Sequence, residues 1–122
     1  MLTSDVSLET SVGIISETME FNLKRGVTYK YYVPDIVKND AQFLELERKY
    51  NKYPNFELIK IDTRYKFLFE KFDVIIYSPD TNRRSGYICI NFSHHDNNIA
   101  FKKFSEEDTR NLIGQLQRIR SV

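Results

Sequence analysis

Tryptophan is missing from this chain of 122 residues, cysteine occurs once, and glycine and proline supply only four and three residues. A lone cysteine, Cys89, excludes an intramolecular disulfide, and its place in an apolar stretch suits an inert buried thiol better than a nucleophile. The sequence has no Gly-rich phosphate loop, no cysteine pair at zinc spacing, no Gly-x-Ser-x-Gly elbow and no His-Glu-x-x-His. The chemistries that depend on those patterns are therefore not expected, and neither is a cofactor or a bound metal. No stretch approaches the ~20 apolar residues that cross a bilayer. The first residues contain no basic segment leading into an apolar one, so the expected setting is a reducing cytoplasm, away from membranes. Net charge is scarce as well. Eighteen Lys and Arg against seventeen Asp and Glu leave +1, which gives no global field to attract nucleic acid or an anionic surface.

What the chain does have is rings: eight Tyr and nine Phe. A chain of this length forms one domain that removes roughly two-thirds of its extended-chain surface from water. Tyrosines used in such a core need partners for their hydroxyls and tend to sit at its edge. Across Met19 to Pro34 the hydrophobic period changes from helical to alternating at Gly26. Val12, Ile15, Met19 and Leu23 share one helical face that Gly26 would terminate, with Val12-Gly13-Ile14-Ile15 open to reading as the remnant of a strand. Val27 to Val33 reads as a strand that Val33, before Pro34, keeps extended.

Further along, an Asn39-Asp40-Ala41-Gln42 start resembles a capping box. Phe43, Leu46, Tyr50 and Tyr53 then mark a second helix that stops before Pro54. Phe56 to Ile61 is a strand, and Lys66 to Tyr77 contains another. Its Val74-Ile75-Ile76-Tyr77 run lacks alternation and predicts a central strand buried on both faces. The turn-rich stretch 78–86 predicts a hairpin into Tyr87 to Phe92, and a short strand follows at Ile99 to Phe104. Ser105 is placed to cap a last helix with Leu112, Ile113, Leu116 and Ile119 on its core face and Gly114 available for close packing. The expected fold is one α/β domain, residues 1–122, with a mixed sheet of about five strands against three helices.

His94, His95 and Asp96 are the only clustered residues of catalytic type, able in principle to bind a metal or move protons. Adjacent histidines on a strand point to opposite faces, and Asn97-Asn98 suit an exposed tip. Arg83 and Arg84, with Lys102 and Lys103, could meet a phosphate if their connections come together, and Lys71 is a further candidate. Tyr29, Tyr31 and Tyr32, interleaved with Lys30, could stack bases, although alternation sends Tyr32 to the face opposite the other two.

Leu23-Lys24-Arg25-Gly26-Val27 running into Thr28-Tyr29-Lys30-Tyr31-Tyr32-Val33 resembles the helix, Arg-Gly-Val and strand unit of the phospholipase D-like superfamily. The order of elements over residues 12–90 is similar too, without a first strand, which would suit a piece of a longer protein. That superfamily uses His-x-Lys, then four residues and Asp, with histidine attacking a phosphodiester. The best alignment runs from Phe69-Glu70-Lys71 to Ile76 and keeps only the lysine. The resemblance therefore implies a non-catalytic copy, of the kind found in bacterial regulators and defence-related proteins. The leading expectation is an interaction or sensory domain that contacts a protein partner or itself through an aromatic-basic surface. The alternatives are a small phosphodiester-acting hydrolase using His94 or His95 with Lys71 or Arg84, and a weak nucleic-acid-binding module.

Overall fold

The structure, a computed structural model, describes residues 1–3, 6–35, 41–62, 72–91 and 99–119. It is a mixed α/β domain. In chain order the elements are α1 (Ser7–Thr10), α2 (Ile14–Lys24), β1 (Tyr29–Pro34), α3 (Ala41–Tyr50), β2 (Phe56–Ile61), β3 (Phe72–Tyr77), β4 (Ser85–Asn91), β5 (Ile99–Lys103) and α4 (Glu106–Arg118). β1 and β2 are parallel, in register from Tyr29 opposite Phe56 to Pro34 opposite Ile61. β3, β4 and β5 form an antiparallel meander.

The N-terminal residues join the two ladders. Leu2 bridges Tyr32 in parallel sense and Val74 in antiparallel sense. Leu2 and Val74 exchange two main-chain hydrogen bonds of 2.8 and 3.0 Å, while Thr3 N donates to Tyr32 O and Tyr32 N to Met1 O. Residues 1–3 thus link the two ladders in the middle of the sheet through bridges at Leu2. Val12-Gly13 is no strand remnant, because Gly13 caps α2 in extended conformation.

Local chemistry explains where elements stop. Gly26 has φ 88°, a conformation glycine adopts without steric cost. Its N–H bonds Leu23 O while Val27 N–H bonds Asn22 O, the Schellman closure of α2. Ser105 caps α4, its Oγ accepting from Asp108 N at 3.1 Å, with three acids in the first turn and Arg118 in the last.

The sheet separates two apolar clusters. One face holds Val6, Met19, Leu23, Tyr31, Val33, Phe43, Leu46 and Tyr50 under α1–α3. On the other lie Leu2, Tyr32, Ile61 and Val74, with Ile76, Ile88, Phe104, Leu112, Leu116 and Ile119 packed around them by α4. The alternation of Tyr31 and Tyr32 between faces follows from the two-residue period of a strand. Ser16, not Val12 or Ile15, completes the buried stripe of α2: Val12 is 95 % exposed and precedes the helix, and Ile15 is exposed. Tyr53 lies past α3 and packs on the same cluster, its hydroxyl donating to Glu20 at 3.0 Å.

Gly114 faces open space, so close packing is not its role. Gly86 has that role instead: a Cβ there would lie 3.0 Å from Phe104 Cδ2 and 3.1 Å from Thr109 Oγ1. This missing side chain lets α4 settle on β4, with Thr109 fully buried at the contact.

Candidate functional site

β3 is central, between Leu2 and β4, yet among the described residues a helix covers only one of its faces. Val74 and Ile76 pack under α4. On the other face Tyr77 is 56 % exposed, and Phe101, on β5, is 67 % exposed. The register sets out this open face in rows: Tyr77 opposite Ser85, then Ile75, Tyr87 and Lys103, then Asp73, Cys89 and Phe101. Tyr77 and Tyr87 meet edge to face with centroids 6.0 Å apart. An aromatic surface with Lys103 on β5 and Asp73 on β3, in adjacent rows, results. Asp73 is held in place by Thr3, whose buried hydroxyl donates to its Oδ1 at 2.5 Å.

Arg83 and Arg84 stand in the turn between β3 and β4, at the same end of the sheet as Lys102 and Lys103. That much of the expected convergence is present. Arg84, however, is engaged by the first turn of α4, its Nε donating to Glu106 Oε1 at 2.9 Å, and Arg83 is exposed on the turn with no ion pair among the described residues. His94, His95 and Asp96 lie outside the described residues, as do Lys71 and the aligned Phe69-Glu70. Among the described residues no group of three His, Cys, Asp or Glu could hold a metal ion.

Two of the three tyrosines considered for stacking have their hydroxyls engaged within the domain. The Tyr29 hydroxyl accepts from Asn22 Nδ2 at 2.9 Å, and the Tyr31 hydroxyl donates to the buried Glu9 carboxylate at 3.1 Å. Burial, with Glu9 adding its negative charge, pushes the Tyr31 phenol far above the ordinary range. Tyr50 donates to Glu9 O at 2.6 Å, and burial pushes its phenol up to about 12.

Tyr32 differs from these. It is 9 % exposed, and its hydroxyl makes no hydrogen bond to another described residue. All fully buried side-chain polar atoms among the described residues do have partners, so the Tyr32 hydroxyl must reach open space. Tyr32 lines a cleft of about 190 Å³ between α4 and the sheet, together with Met1, Leu2, Val74, Ile76, Ile113 and Leu116, and with Thr28, Lys30, Asp80 and Gln117 as its polar side chains. Burial raises the Tyr32 phenol, and the nearby Lys30 ammonium partly offsets this. Lys30 is itself 3.5 Å from Glu57 across the β1–β2 ladder.

No family model matches the chain, and comparison with curated proteins and with solved structures returns no match. The fold and its surfaces therefore define the class, a mixed α/β domain. Among the described residues no helix is long and apolar enough to cross a membrane.

Proposed function

We propose that this chain is a non-catalytic interaction domain with a regulatory or sensory role, and that a second copy docks on the open face of β3–β5. The observation that carries this reading is the exposure of Tyr77 and Phe101 beside Ile75 and Tyr87 on a sheet whose other face is sealed by α4. Contiguous exposed rings on a soluble surface mark contact sites. The distribution of charge suits a copy of the same chain. Lys103 lies on β5 and Asp73 on β3, with the uncharged β4 positions Tyr87 and Cys89 between the two strands, so a two-fold stacking that lays β5 of one copy over β3 of the other sets each cation toward the other copy's acid.

The apolar packing of Ile76 supports the absence of catalysis. This residue takes the position where a phospholipase D-like signature would carry its aspartate, and it lies against the α4 cluster. Such a side chain can neither orient an imidazole nor accept a proton. The likeness of Leu23 to Val33 to that superfamily then belongs to a copy that kept the scaffold and lost the chemistry.

Sedimentation equilibrium from micromolar to near-millimolar protein tests the proposal. A dimer is expected, reduced to monomer by Phe101→Lys or Tyr77→Lys. A folded monomer throughout, or variants that dimerise as the parent does, would overturn it. A phosphodiesterase assay with added divalent metals should show no turnover. Turnover abolished by His94→Ala or His95→Ala would refute the non-catalytic reading.

A further inference from the structure

We propose that the cleft beneath the C-terminal half of α4 is a binding site for an apolar amino acid, whose side chain lies between Val74 and Ile76 on the sheet and Ile113 and Leu116 on the helix, and whose charged head lies between Tyr32 and Asp80. This site is distinct from the open face and stands whether or not the chain self-associates.

Three observations carry it. The first is the Tyr32 hydroxyl, on a side chain nine-tenths buried. Tyr29, Tyr31 and Tyr50 engage their hydroxyls within the domain, as tyrosines at the edge of a core commonly do. The Tyr32 hydroxyl is left for a partner that enters the cleft. The second is the arrangement of the lining. Aliphatic side chains from the N-terminal segment, β3 and α4 form its floor and wall, with few polar groups around them, the composition of a small-molecule site. Asp80 and Gln117 make no side-chain hydrogen bond or ion pair among the described residues, so neither must give up a partner to bind.

The third is size and charge, which narrow the ligand. About 190 Å³ is below the ~300–1,000 Å³ of sites for drug-sized molecules, so neither a nucleotide nor a lipid chain is accommodated. A phosphate is disfavoured, since the one lysine on the lining is shared with Glu57 and Asp80 would repel an anion. What fits is a short apolar body bearing a cationic group for the Asp80 carboxylate and an acceptor for the Tyr32 hydroxyl, with Lys30 nearby. An α-amino acid with an aliphatic side chain combines these in one small molecule.

Amide NMR titration of the full chain with L-leucine, isovalerate and isopentylamine tests the site. Leucine is expected to shift the amides of Thr28, Lys30, Tyr32, Ile76, Asp80, Ile113 and Gln117 saturably, and to bind more tightly than either single-charge analogue. Tyr32→Phe, which removes only the hydroxyl, should weaken leucine about tenfold. Asp80→Asn should weaken leucine and, by removing a like charge, bind isovalerate at least as tightly as the parent does. Ile113→Trp, placed on α4 to fill the cleft, should abolish binding while the spectrum stays dispersed. The proposal is overturned if leucine shifts none of these amides at tens of millimolar, if isovalerate binds as tightly as leucine, or if Ile113→Trp binds as the parent does.

Discussion

β1 and β2 are sealed on the face beneath α1–α3, and their other side contributes Tyr32, Ile59 and Ile61 to the cluster under α4. β3, β4 and β5 have α4 on one side, and among the described residues no helix packs on the other. The difference traces to connectivity. A parallel neighbour can be reached only by a crossover, and the crossovers from the N-terminal segment to β1 and from β1 to β2 carry the helices that cover them. An antiparallel neighbour needs only a turn, such as residues 78–84, and a turn brings no cover. Among the described residues the uncovered face thus follows from the topology, and its rings are the basis for the proposed interface. Substitutions in the two halves should behave accordingly.

The largest contrast is in the core. Leu46 is fully buried among Phe43, Tyr50 and Val33, and Leu46→Ala should cost about 2–5 kcal/mol in urea unfolding through lost transfer energy and the cavity left behind. Next come the glycines of the α4 contact, which should differ in sign. Gly86→Val places methyl groups where Phe104 and Thr109 already sit and should cost about 1–3 kcal/mol. Gly114→Ala meets nothing within 4 Å and should stabilise by about 1 kcal/mol through helix propensity alone. Equal effects at the two positions would mean that α4 does not rest on Gly86.

Alkaline pH tests the sealed half. Tyr50 in the folded chain ionises at about 12, above the ~10 of an unfolded tyrosine, and Tyr31 is raised as well. Because the unfolded chain loses these protons first, their contribution is fully present below about pH 10 and declines as pH rises through the folded values. Urea midpoints should therefore fall above about pH 10, and Tyr50→Phe should flatten that fall.

Much of this division is readable in the residues, and the unread parts have physical causes. Phe43, Leu46 and Tyr50 declare α3 by spacing, Ser105 and its acids declare the start of α4, and Gly26 declares the end of α2. Three residues are too few to show a period, so Met1 to Thr3 give no sign that they complete the sheet. Val74-Ile75-Ile76-Tyr77 reads as doubly buried because an apolar run looks the same whether its second face is covered by its own chain or left for another. Gly86 shows its role only once Thr109 lies over it. Thr28, Lys30 and Tyr32 share a face by the strand period, but Asp80 and Gln117 join them from a turn and from α4, so no local pattern shows the whole set. An unpaired tyrosine hydroxyl is likewise a property of space and not of spacing.

The smallest effect completes the comparison. Phe101→Ser and Tyr77→Ser remove rings that are 67 % and 56 % exposed, so in dilute protein, where copies stay apart, each should change unfolding free energy by no more than ~0.5 kcal/mol. The same rings would bury much of their remaining area in a dimer, so at high concentration these variants should lose the concentration-dependent rise in stability expected of the parent. Thermal unfolding at a low and a high protein concentration measures both terms. A loss that is already large in dilute protein would show that the rings hold β3–β5 together within one chain, and the open face would then be part of the domain's own core.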